Sequence, residues 1–103
     1  MLSVIDYINI IMKRKKITRT ELCKKINIIE DNAGLGERTT IQNITNYLNG
    51  YHNIRPKWLV KVEMALDLPS DTLIKMVEKP KTKNGMKELE NIKSKLRNGA
   101  DND

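Results

Sequence analysis

An all-α domain of five short helices is what this sequence predicts, and three observations carry that expectation. Apolar residues recur three and four apart through five separate segments, the spacing that lines them along one helix face. Hydroxyl residues and a proline stand where those segments begin, and Gly, Asn or Pro stand between them, as helix starts and stops require. No stretch makes a convincing strand. With short connections between them, five such helices close on one another as a bundle.

The first helix is expected over residues 2–16, with Val4, Ile5, Ile8, Ile11 and Met12 as its buried stripe. Ser3 and Asp6 resemble a capping pair. The run Lys13-Arg14-Lys15-Lys16 suits the negative end of a helix dipole and would equally suit a phosphate. Thr18 with Glu21 completes a capping box for the second helix, which turns Leu22, Cys23 and Ile26 inward and Arg19, Lys24 and Lys25 outward. From Asn27 the pattern weakens, and EDNAGLGER over residues 30–38 reads as a loop. The third helix lies within residues 39–50. Thr39 or Thr40 caps it, Ile41, Ile44 and Leu48 face the core with Tyr47 beside them, and Asn49-Gly50 stops it.

Pro56 suits the first turn of a fourth helix running to about Asp67, with Leu59, Val62, Ala65 and Leu66 inward and Trp58 at its edge. Pro69-Ser70 breaks the chain, and Ser70 can cap a fifth helix carrying Leu73, Ile74 and Val77. Beyond Glu78 the composition shifts to KPKTKNG, a linker. Residues 86–97 then space Met86, Leu89, Ile92 and Leu96 at helical intervals, too few for an independent coiled coil. Disorder, a docked helix and a dimerisation helix are all compatible with that stripe, and the final NGADND is expected to fray. The chain therefore divides into a domain over residues 1–79 and, over residues 80–103, a basic linker with a C-terminal helix or disordered tail.

The totals narrow the function classes. At 103 residues the chain holds one small domain, and with no Phe and one Trp its core must come from Ile, Leu, Val and Met. A formal charge of +6 suits an acidic partner, nucleic acid first. Cys23 is the only cysteine and reads as a small buried thiol; His52 is the only histidine and falls in a loop. No metal site, cofactor site or catalytic constellation can be assembled from them, so the chain does not read as an enzyme. The apolar N-terminus is interrupted by Asp6, Asn9 and the basic run, which excludes a signal peptide or membrane span and implies a cytoplasmic protein.

The third helix is the informative one. Opposite its apolar stripe it carries Gln42, Asn43, Asn46 and Asn49, a face rich in amides and free of charge. An amide donates and accepts at once, which is what the edge of adenine in the major groove asks for. A solvated helix face would more often carry Lys and Glu than Asn, a poor helix former.

Three stretches in order give a resemblance to the helix-turn-helix domain of the lambdoid phage repressor and Cro family. ITRTELCKKI at residues 17–26 is similar to the family's second helix, TTIQNITNYLNG at residues 39–50 to its recognition helix, and RPKWLVKVEMALDLPSDTL at residues 55–73 to its last two helices. Together they cover roughly residues 3–78. The resemblance implies a five-helix domain whose second helix crosses the DNA backbone and whose third enters the major groove. It places Gln42 and Asn46 at base edges, with Asn43 flanking, and Arg19, Thr40, Asn49, Arg55 and Lys57 against phosphate.

The sequence departs from that pattern twice. About ten residues separate Ile29 from Thr40, where the family has a turn of three or four, and Glu30, Asp31 and Glu37 in this lengthened loop would be unwelcome near phosphate. They are expected to point away from DNA or to meet a protein. Met12 and Leu48 stand where some relatives pair Arg with Glu, an apolar exchange compatible with the same fold. The leading expectation is a sequence-specific regulator of phage or mobile-element type that binds a double-stranded operator as a homodimer. The rival is a protein-binding module on the same fold, an antitoxin or a phage-encoded inhibitor of a host nuclease such as an anti-CRISPR, gripping its partner through residues 30–38 or 84–97.

Overall fold

Two capping boxes set where the first two helices begin. In the computed structural model, which describes residues 3–36, 38–51, 54–77 and 81–100, α1 spans Val4–Lys15 and α2 spans Arg19–Ala33. The Asp6 N–H donates to the Ser3 hydroxyl at 3.1 Å while the Ser3 N–H donates back to the Asp6 carboxylate. Thr18 and Glu21 repeat the arrangement at α2. Each box satisfies two donors that a first turn leaves orphaned. α3 spans Ile41–Leu48, and Thr40, of the two threonines before it, caps it by accepting the Asn43 N–H at 3.1 Å. Past Asn49 the chain turns through Gly50 at φ 81°, a left-handed conformation that glycine adopts without steric cost. α4 spans Pro56–Ala65 with its proline in the first turn, and α5 spans Lys83–Ala100. Among the described residues the fold is all-α with five α-helices, as expected in class and number, the fifth lying at residues 83–100.

α2 is the hub. α3, α4 and α5 pack on it, and α1 leans on α3. Ile8, Ile11 and Met12 of α1 meet Leu22 and Ile26 of α2, Ile44 and Leu48 of α3, and Leu59, Val62 and Leu66 from α4 and its end, in one core. Met12 and Leu48 are both buried, as the apolar exchange requires. Among the described residues no helix is long and apolar enough to cross a membrane.

Four expectations are corrected. α2 runs one turn further than its apolar pattern suggested, so the connection occupies residues 34–40 and Glu30 belongs to the helix. Glu30 is buried, its carboxylate taken by Thr39 and Lys61, and it neither points to solvent nor offers charge to a partner. Ile41 is 46% exposed and joins no core. It shares the helix face of Ile44 and Leu48 but stands a turn before them, at the first residue of α3.

The third correction concerns residues 70–77, which make turns and one 3-10 turn over Ile74–Met76 in place of a helix capped by Ser70. The buried Glu63 carboxylate captures the N–H groups of Asp71, Leu73 and Ile74 at 3.1, 2.7 and 3.0 Å, and Asp67 and Asp71 turn the backbone through positive φ on either side. Leu73 and Ile74 are nonetheless buried, as the spacing required. Fourth, the C-terminal stripe is a docked helix longer than 86–97. α5 packs on α2 and α4 with Leu89 and Leu96 buried and Met86 at the rim, and Asn98, Gly99 and Ala100 continue the helix where fraying was expected. Gly99 lets the two backbones touch: a Cβ there would lie 2.8 Å from the Asn32 carbonyl oxygen. Glu37, His52, Glu78 and residues 101–103 lie outside the described residues.

Candidate nucleic-acid interface

Thr39, two residues before α3, is gripped by α2 on every polar atom. The Thr39 N–H donates to Asn27 Oδ1 at 2.8 Å, and Asn27 Nδ2 donates to the Thr39 carbonyl at 3.0 Å. The Cys23 thiol donates to that same carbonyl at 3.3 Å, and the Thr39 hydroxyl donates to Glu30 Oε1 at 2.5 Å. Lys61 of α4 pairs with Glu30 Oε1 at 3.5 Å from a side chain as buried as its partner, so the acid in this clamp is neutralised where it sits. A lengthened connection therefore ends at a fixed point, and α3 starts from there. The Arg38–Asp31 pair, 3.8 Å apart with both side chains mostly exposed, contributes little by comparison.

From that anchor α3 turns its amides outward. Gln42 and Asn43 are exposed and Asn46 is half-buried. Gln42 Nε2 donates to Asn46 Oδ1 at 3.0 Å, one turn along the same face. The bond holds the two side chains together and leaves Gln42 Oε1 and its second amide hydrogen for an outside partner. Thr40 is exposed at the cap. At the other end Asn49 accepts from Arg19 Nη2 at 3.4 Å, which ties the first turn of α2 to the end of α3. Two of the expected phosphate contacts are thus brought together, as are Gln42 and Asn46 of the three expected base contacts.

Arg55 and Lys57, the remaining expected phosphate contacts, are exposed at the start of α4 and share a groove with Asn43. The groove between α3 and α4 encloses about 830 Å³. Tyr47 and Trp58 stack in its wall, ring centroids 4.3 Å apart and planes inclined by 18°, and Tyr51 stands at it 76% exposed. Arg38 and Lys61 add cations, and among the described residues Glu30 is its one acid. Two buried polar atoms of groove residues, Trp58 Nε1 and Glu30 Oε2, have no hydrogen-bond partner among the described residues.

Sequence reasoning missed Arg38, Tyr47, Tyr51, Trp58 and Lys61 as a group. Tyr47 and Trp58 were assigned to packing, and Lys61 stands in an otherwise apolar helix. A legible signal was there in part: aromatics and cations interleave from Tyr47 to Lys61, the mixture that nucleic-acid surfaces use. Glu30 could not have been found, because its partner Lys61 is distant in sequence and only folding brings the two together. No known family model matches the chain, and no characterised protein or solved structure is significantly similar to it.

Proposed function

We propose that this protein is a sequence-specific regulator that binds double-stranded DNA by laying α3 in the major groove. One observation carries the reading: α3 offers Gln42, Asn43 and Asn46 on a face without charge, with Arg19 at its end and Arg55 and Lys57 beside it. The major groove admits a helix, and amides in register with its floor discriminate adenine, while flanking cations and the capping Thr40 and Asn49 meet phosphate. α3 alone makes few base contacts. The protein therefore acts as a homodimer on a near-palindromic operator, with half-sites about one helical turn apart. The resemblance to the lambdoid repressor and Cro family is part of this proposal, as are a phage or mobile-element origin, a cytoplasmic site of action and the absence of catalysis. The reading of the chain as a protein-binding antitoxin or nuclease inhibitor has less to stand on. Glu30 of its acidic segment faces inward, and Leu89 and Leu96 of its helix are buried.

The test is binding to the DNA beside the protein's own gene, titrated against salt and unrelated competitor. One short two-fold site survives excess competitor. Gln42→Ala and Asn46→Ala each cut the ratio of specific to non-specific binding by about 1–3 kcal/mol, whereas Arg19→Ala weakens binding to every sequence and flattens the salt dependence. Unchanged discrimination in both amide variants would overturn α3 as the reading helix.

A further inference from the structure

The chain has three tyrosines and one tryptophan, and three of these four rings, Tyr47, Tyr51 and Trp58, line the groove between α3 and α4. Core packing explains Trp58, which is buried, but not Tyr51, which is 76% exposed. Around the rings stand Arg38, Arg55, Lys57 and Lys61, and among the described residues Glu30, paired with Lys61, is the one acid of a lining that is otherwise cationic and aromatic. Two lining side chains, Trp58 and Glu30, 6% and 1% exposed, each keep a buried polar atom, Nε1 and Oε2, without a hydrogen-bond partner among the described residues. Buried polar atoms are rarely left so, because each unpaired group forfeits its hydration without return. The volume of about 830 Å³ falls within the range of small-ligand pockets.

We propose that this groove binds a single nucleotide unit, a planar base with its phosphate. Each part of the site then has a counterpart. The base stacks on the aromatic wall. Its edge, which carries both donors and acceptors, meets the exposed amide of Asn43. The phosphate lies among the cations. A bare anion leaves the rings unused, and an uncharged aromatic leaves the cations unused. A free nucleoside monophosphate and one residue of a single strand carry this same chemistry. The site stands independently of duplex reading by α3, although the two share Asn43, Arg55 and Lys57.

Trp58 is the only tryptophan, so its fluorescence reports on the groove directly. The four 5′-nucleoside monophosphates, inorganic phosphate at matched ionic strength, and a single-stranded tetranucleotide are titrated into the full chain without duplex DNA. The expected result is a saturable change with at least one nucleotide and none with inorganic phosphate. Tyr51→Ala and Arg38→Gln, both at exposed positions, should each weaken nucleotide binding, Tyr51→Ala by about fivefold or more. Equal affinity for the mononucleotide and the tetranucleotide assigns the site to the free nucleotide, and much tighter binding of the tetranucleotide assigns it to a strand. No response to any nucleotide up to millimolar concentration, an equal response to inorganic phosphate, or wild-type affinity in both variants would overturn the proposal.

Discussion

Replacing Asn27 with Ala removes the amide that holds both backbone groups of Thr39, and so asks whether α2 fixes the start of α3. The two bonds lost measure 2.8 and 3.0 Å. A hydrogen bond contributes roughly 0.5–1.5 kcal/mol net, and a buried group left unpaired costs roughly 1–3 kcal/mol. The two backbone groups fare differently. The Thr39 carbonyl keeps the Cys23 thiol as a weak donor, while the N–H loses its only partner. Thr39 is half-buried, so water can recover part of the loss. The expected cost is about 2 kcal/mol, a drop of roughly 8–16 °C in Tm for a chain of this size. Urea unfolding measures the cost, and amide exchange across Ile41–Leu48 shows where it falls. Faster exchange confined to α3 is expected. A loss below about 0.5 kcal/mol with α3 exchange unchanged would mean that apolar packing alone positions the helix, and the reasoning would fail.

Glu63→Ala leaves three backbone N–H groups of the 71–74 turn without their acceptor, and chemical denaturation is expected to show a loss of about 3–5 kcal/mol. Arg97→Met should cost much less, because Arg97 lies 3.6 Å from Glu63 and its side chain is 35% exposed. Gly99→Ala drives a methyl to within 2.9 Å of the Ala33 backbone, so it should lower the unfolding free energy, measured in urea, by about 1–3 kcal/mol although Ala is the better helix former. Lys93 has its pKa raised above 10.5 by its hydrogen bond to Asp71, against a smaller opposing effect of burial. Because the folded value is the higher one, the stabilisation is fully present below 10.5 and disappears as pH rises through the folded value. Lys93→Met should therefore lower stability at neutral pH and flatten the alkaline limb of a stability–pH curve.

How far the sequence could be read depended on the range of the interactions. Caps and stripes are local, and Ser3–Asp6, Thr18–Glu21, Thr40 and the Ile44–Leu48 pair stand where spacing placed them. Two of the errors sit where a charged side chain bonds to groups outside its own stretch of chain. Glu30 looked like a loop residue because a buried acid has no period, and its partner Lys61 arrives from α4. Glu63 diverts the N–H groups that a helix at residues 70–77 would have used, and nothing near Ser70 announces it. The base-edge amides were legible because their chemistry is carried by side chains on one short helix. The groove was not, because its walls come from two helices and the connections around them.

The docking of α5 bears on how two copies could meet. Its apolar stripe is spent internally: Leu96 is fully buried, Gly99 lies against the α2 backbone, and Lys93 reaches Asp71 at 2.7 Å. A dimer built on that stripe would have to withdraw Leu89 and Leu96 from the core, at about 1.5–3 kcal/mol for each leucine, before gaining any contact. Exchange of the helix between copies would restore those contacts, but only if the second chain offered the same close backbone approach to Gly99. A two-fold contact that leaves α5 docked can instead draw on exposed apolar side chains: Ile28 on α2, 58% exposed, and Ile41 at the start of α3, 46% exposed. Ile41 immediately follows the capping Thr40, so a partner seated on it would fix α3 relative to its twin. That is the geometric condition that half-site spacing on a duplex imposes.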